Sequence, residues 1–169
     1  MSGIALESSE KSSAFLKFKT GNIYEGEVHK GKLHGEGKME FTDGIVYEGE
    51  FKHNRIEGKG RITWPDGSYY KGQFLNGVRN GHGEYRNPIK DVTYRGEWNM
   101  GQRHGKGELR LNDGSLYNGL FISGLKQGFG KLVYPSGNTY QGEWKFNKKN
   151  GKGVMHWYDS NQKVDFLDF

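Results

Sequence analysis

A tyrosine followed two residues later by a glycine recurs at a near-constant interval along almost the whole chain. The tyrosines are Tyr24, Tyr47, Tyr70, Tyr94, Tyr117 and Tyr140, and the glycines are Gly26, Gly49, Gly72, Gly96, Gly119 and Gly142. Eleven residues after each tyrosine a Gly-x-Gly pair begins, at Gly35, Gly58, Gly81, Gly105, Gly128 and Gly151. The period is 23 residues, with a single step of 24. Self-similarity of this length belongs to solenoids and related arrays, in which each unit packs only on its neighbours.

Within a unit the residues alternate. Tyr24, Gly26 and Val28 fall on one parity, and Glu25, Glu27 and His29 on the other. Strict alternation predicts a strand with one apolar and one wet face. The fourth residue after each tyrosine is Val28, Phe51, Phe74, Trp98, Phe121 or Trp144, all good strand formers. The seventh is Gly31, Asn54, Gly77, Gly101, Gly124 or Asn147, the two residue types that best tolerate positive φ in a hairpin turn. The Gly-x-Gly pair opens a return strand such as Gly60, Ile62, Trp64 or Gly130, Leu132, Tyr134. Asp43-Gly44, Asp66-Gly67, Asp113-Gly114 and Ser136-Gly137 then turn the chain into the next unit. The extra residue of the 24-residue step falls in Asn87 to Asp91, a loop.

The sum is an all-β chain of about six tandem hairpins: a single-layer, twisted antiparallel sheet of about twelve strands, on the order of 55 Å long at the usual strand spacing. Three segments are expected: a polar, serine-rich arm over 1–13, the array over 14–158 and a capping or docking tail over 159–169. Leu16 and Phe18 stand where Met39 and Phe41 do, so the array opens with a half unit. At its far end Lys163 takes the place of a seventh tyrosine. Register stays open, because the turn inside each hairpin could hold two or four residues.

Composition supports a folded chain with a thin core. Hydrophobic residues make up only 33% of it and 28 residues are glycine, but the glycines are periodic and aromatics reach 14%, unlike a disordered chain. No cysteine is present, which excludes disulfides, thiolate metal sites and a cysteine nucleophile, and fits a reducing cytosol. No apolar run approaches the length of a membrane span. The net charge of +5 is compatible with acidic partners.

The unit Tyr-x-Gly-x-Phe/Trp, then Gly or Asn, then Gly-x-Gly resembles the MORN repeat (membrane occupation and recognition nexus) from about Phe15 to Trp157. Tyr47-Glu48-Gly49-Glu50-Phe51 and Tyr140-Gln141-Gly142-Glu143-Trp144 are clean matches, while Val28, Leu120 and the Asn87–Asp91 insertion depart from the pattern. The resemblance implies a β-repeat scaffold without intrinsic catalysis. Repeat-only members of the family resemble radial-spoke head components of cilia and other cytoskeletal organisers. Some hold a partner helix in their groove, some self-associate, and the repeat has been linked to phosphoinositides. The implied setting is cytoplasmic, in an axoneme or the cytoskeleton.

Residue by residue, the chemistry is sparse. No phosphate-binding loop motif occurs, and no cofactor is expected. His34, His82 and His104 are too dispersed for a zinc site and read as turn or wet-face residues. Glu25, Glu27, Glu48, Glu50, Glu97 and Glu143 recur in unit after unit, which predicts cross-strand partners for Lys and Arg and not a catalytic pair. An enzyme is not expected. Instead, Trp64, Tyr70, Phe74, Tyr94, Trp98, Tyr117 and Phe121 are the candidate lining of a partner-binding groove, for a helix or extended segment or for a second copy of the chain. The alternative is a peripheral membrane module in which Lys32, Arg55, Arg79, Arg103, Lys126 and Lys148, close to the hairpin tips along one edge, meet anionic lipid. The wet face carries about as many Glu as Lys and Arg, which argues against nucleic acid.

Overall fold

A computed structural model describes residues 12–158 in full and residues 163–168 by their backbone; the rest of the expected arm and tail lies outside the described residues. It holds β1 (Ser12–Lys17), β2 (Ile23–His29), β3 (Lys32–Glu40), β4 (Val46–Lys52), β5 (Arg55–Thr63), β6 (Tyr69–Leu75) and β7 (Val78–Asn87). These are followed by β8 (Val92–Asn99), β9 (Gln102–Arg110), β10 (Leu116–Ile122), β11 (Leu125–Val133), β12 (Thr139–Lys145), β13 (Lys148–His156) and β14 (Lys163–Asp168). All 14 strands form one antiparallel sheet in chain order. Among the described residues there is no helix.

Hairpin tips are two residues long, which settles the register. Lys30 (φ 49°) and Gly31 (φ 71°) form one tip, His53 (φ 50°) and Asn54 (φ 68°) the next, with both central residues left-handed as the strand twist prefers. Across each tip the fourth residue after the tyrosine faces the ninth: Val28 pairs with Leu33, Phe51 with Ile56, Phe74 with Arg79 and Phe121 with Lys126. The return strand then bulges. Glycine faces glycine at Gly49 and Gly60, so two extra residues lie between Ile56 and Gly60, and Gly58 takes φ 67°.

The turn between units is supported by its own side chains. Gly44 donates to the Phe41 carbonyl (2.9 Å) and the Asp43 carboxylate accepts from the Ile45 amide (3.1 Å). The extra residue of the 24-residue step extends the ladder by one rung, Asn87 with Val92, before a tighter loop begins. Asn87 is buried and accepts from the Lys90 amide (2.8 Å), while Ile89 at the loop's crest is exposed.

The ends follow the same geometry. In β1, Leu16 stands opposite Tyr24, as Met39 does opposite Tyr47, so β1 is the return strand of an incomplete unit. At the other end β14 pairs with β13, and it is Val164, not Lys163, that stands opposite Met155 in the tyrosine's place.

Each tyrosine ring lies flat over a glycine pair. A Cβ on Gly60 would fall 2.6 Å from ring atoms of Tyr47, and one on Gly130 equally close to Tyr117. The hydroxyl donates to the carbonyl three residues on: Tyr47 to Glu50 (3.0 Å), Tyr70 to Gln73 (2.9 Å), Tyr94 to Glu97 (2.8 Å). The Phe or Trp of the next unit meets each of the first five tyrosines edge-on. The result is an unbroken ladder, Tyr24–Phe51–Tyr47–Phe74–Tyr70–Trp98–Tyr94–Phe121–Tyr117–Trp144–Tyr140, with centroids 5.1–5.4 Å apart. Edge-to-face pairs of this kind contribute about 0.5–1.5 kcal/mol each beyond burial. All six tyrosines are at most 1% exposed. The ladder is therefore a core built inside one layer, because bare glycine backbone lets the rings sink into the sheet that carries them.

Candidate functional site

Above the ladder runs a trough. Its floor is the ladder itself. One bank is the ninth residue after each tyrosine: Leu33, Ile56, Arg79, Arg103, Lys126 and Lys149. The other bank carries the half-buried Phe41, Trp64, Tyr85, Leu111 and Tyr134. In the third and fourth units the trough deepens to a cavity of about 970 Å³ lined by Trp64, Tyr85, Trp98, Arg79, Arg103 and Lys90, among others. Trp64 and Tyr85 meet edge-on there at 6.1 Å.

The expected groove residues divide in two. Tyr70, Phe74, Tyr94, Trp98, Tyr117 and Phe121 are buried in the ladder, while Trp64 keeps a partly exposed ring in the cavity. Tyr94 and Trp98 nevertheless contribute atoms to the cavity wall. The tyrosine hydroxyls have no role as acids near neutrality. Burial pushes Tyr70, Tyr94 and Tyr117 up to about 12, and Tyr47 higher still with the help of the nearby Glu50 carboxylate.

The six expected lipid contacts do not share a surface. The two-residue tip puts the eighth and ninth residues after the tyrosine on opposite faces. Lys32, Arg55 and Lys148 are therefore exposed on the wet side, whereas Arg79, Arg103 and Lys126 turn inward over the rings. The Arg79 guanidinium lies 4.5 Å from the Trp98 centroid and donates to the Gly101 carbonyl (2.8 Å). Arg103 lies 5.4 Å from Phe121 and donates to Gly124 (2.9 Å). Lys126 Nζ sits between Tyr117 (4.8 Å) and Trp144 (5.0 Å). Cation–π attraction holds these groups in place. Burial pulls all three below their ordinary pKa, and for Lys126 the Arg103 charge adds to the effect.

The outer face corrects a second expectation. Glu50 and Glu97 accept from backbone amides of the bulge, Lys59 and Lys106 (each 2.8 Å), and Gln73 does the same for His82 (2.7 Å). These side chains secure a backbone irregularity instead of pairing with Lys or Arg. Glu25 and Glu48 do stand opposite Lys38 and Arg61, and farther along Glu84 binds Arg95 at 2.7 Å. Leu120 replaces the carboxylate in the fifth unit, and Phe129 nearby on that face is exposed. His34 packs against His29 and His53 with its Nδ1 buried and unpartnered, and no metal-ligating cluster is found among the described residues.

Sequence reasoning missed two parts of this site, Tyr85 and the inward orientation of the cations. Stepping back by twos along the return strand from the second glycine of each pair reaches the ninth residue, so parity carried the signal.

The MORN-repeat family model matches residues 24–46, 47–69, 70–92, 94–116, 117–139 and 140–162. Among curated proteins, none matches the sequence. Among solved structures, the TCP domain of Drosophila melanogaster SAS-4, in complex with a proline-rich motif of Ana2, superposes with a TM-score of 0.58 at 11% identity. The match covers 99% of this chain and 95% of that one. The TCP10c domain of Drosophila melanogaster Sas-4 gives a TM-score of 0.52 at 10% identity, covering 93% and 100% of the two chains. At such identities the likeness is one of fold.

Proposed function

The chain belongs to the MORN-repeat family, and from that premise we propose that it is a non-enzymatic scaffold whose ring-floored trough holds a segment of a protein partner. The carrying observation is the cavity of about 970 Å³ at the third and fourth units, where the half-buried Trp64 and Tyr85 face Arg79 and Arg103 across a rigid aromatic floor. Partly exposed aromatics and arginine beside a preformed concavity are the residue types that dominate binding energy at protein interfaces. The peptide held by the TCP domain of similar fold supports the same use of a single-layer sheet. An axonemal or cytoskeletal assembly is the setting that membership of the MORN-repeat family favours.

The test is a selection of ligands from a displayed random-peptide library, followed by titration of the enriched peptides. Replacing Trp64 and Tyr85 together by Ala removes one bank and leaves the ladder intact, so affinity should fall roughly tenfold or more. Equal binding by that variant would refute the trough as the docking place.

A second reading rests on the exposed tips. Lys32, Lys52, Arg55 and His53 surround a shallow polar cleft of about 430 Å³ on the wet side. Anionic vesicles at low salt test it: the doubly substituted Lys32→Glu, Arg55→Glu protein should lose binding that the wild type shows.

A further inference from the structure

The two banks of the trough differ in kind along its length. At the ninth position the first two units carry Leu33 and Ile56, and the last four carry Arg79, Arg103, Lys126 and Lys149. The fold does not need a cation there, since Leu33 is buried in its place. Among the described residues no carboxylate lies within ion-pair distance of Arg79, Arg103 or Lys126. Each arginine offers five N–H donors, and one hydrogen bond is seen for each, to a tip carbonyl. Lys126 Nζ donates to no acceptor among the described residues and rests only on rings. His34 Nδ1 is the one fully buried, unpartnered side-chain nitrogen or oxygen among the described residues, so Nζ retains contact with the solvent of the trough. The half-buried Arg103 and the buried Lys126 beside it carry like charges that repel one another, compensated only in part by the rings beneath them and, at Lys126, by the Asp113 carboxylate beyond ion-pair distance.

Resting on the trough reading above, we infer that the occupant of its C-terminal two thirds is an acidic peptide segment, with carboxylates spaced to meet Arg79, Arg103 and Lys126 in turn. Successive cations are two strands apart, about 10 Å at ordinary strand spacing. Seven residues of α-helix advance about 10.5 Å, and three residues of extended polyproline chain about 9.3 Å. The complementary pattern is thus a carboxylate at every seventh residue of a helix or every third of an extended segment. Next to Leu33 and Ile56 the same segment is apolar. Direction follows, because only one orientation puts the apolar end on the first two units. A bilayer fits worse: its headgroups form a flat surface, while these cations lie inside a concavity and the exposed Lys32 and Arg55 point the other way.

Two synthetic 21-residue probes, one helix-forming with Glu at every seventh position and one proline-rich with Glu at every third, both with an apolar terminus, are titrated against the full chain. Each is accompanied by a Gln-for-Glu copy, and vesicles containing phosphatidylserine form a separate arm. The test variant is Arg79→Ile, Arg103→Ile, Lys126→Leu, which installs the residue types the fold already uses at this position in its first two units. Its thermal transition verifies folding. At least one Glu probe should bind the wild type roughly 100-fold more tightly than either its Gln copy or the triple variant does. That preference should shrink with added salt. If Glu and Gln copies bind alike, the acidic assignment is overturned while the trough reading stands. If no probe binds at all, both fall. Vesicle binding lost in the triple variant, without peptide binding, would replace the acidic segment by a lipid surface. An Arg55→Gln, Lys32→Gln control, altered only on the wet side, should bind the Glu probe as the wild type does.

Discussion

The first two units and the four that follow share a backbone, a ladder and a turn, and differ in what covers the rings. Leu33 and Ile56 close the N-terminal part with hydrocarbon; Arg79, Arg103, Lys126 and Lys149 close the rest with cations whose aliphatic stems lie along the trough. Packing alone accepts either solution. The invariant parts, tyrosine over paired glycines, are therefore the ones that make the sheet, and the variable ninth residue is where the surface acquires its character.

The largest expected effect tests the shared part. Gly60→Ala in the second unit and Gly130→Ala in the fifth each press a methyl group to 2.6 Å from tyrosine ring carbons, and both should cost about 3 kcal/mol or more by chemical denaturation. A large loss in one half and a small one in the other would break the claim that the ladder is common to both. By contrast, Gly77→Ala at a tip meets open space and only strains φ, at about 1 kcal/mol.

Next comes the hydroxyl. Tyr47→Phe and Tyr117→Phe each remove a bond to a carbonyl, to Glu50 and Leu120, and should cost about 1–2 kcal/mol in either half. The same hydroxyls govern alkaline stability. Their folded pKa is raised, so unfolded tyrosine ionises first; stability is complete below pH 10 and declines as pH climbs toward about 12. The tyrosinate absorbance of the six ladder tyrosines should accordingly appear together with loss of ordered structure, and not before it.

The smallest effect sharpens the difference between the halves. Exchanging the covers, Ile56→Arg or Arg103→Ile, should shift stability by no more than about 1 kcal/mol in a thermal melt. Unfolding by Arg103→Ile would show that the cation is needed for the fold and leave the ligand argument without its footing.

Much of this was legible from one sequence because the period is strict and alternation gives each residue a face. Tyr47, Gly49 and Phe51 announce an inward row, and the Asn87–Asp91 step announces its own loop. Tip length was not legible: Gly31 and Asn54 fit a positive φ in loops of either length, and the left-handed Lys30 and His53 beside them carry no signal of residue type. The side taken by the cations was readable all the same, since Arg79 shares the parity of Gly81 and Gly83 and so falls on the ring face whatever the tip length. The role of Glu50 was hidden, because a bulge at Gly58 exposes amides that a regular ladder would have used. Fixed glycines on the ring face do imply aromatics lying across bare backbone as a core; how deeply each ring sinks over its glycine pair, and so its complete burial, was out of reach.

In a sheet whose strands follow chain order, every unit advances the trough by a fixed increment and makes no contact across a gap. Such a molecule works as a measuring stick. Adding one 23-residue unit between Tyr69 and Tyr70, or removing residues 47–69, would change the length of partner it can seat by one increment, about 10 Å, and leave the seats on either side unaltered.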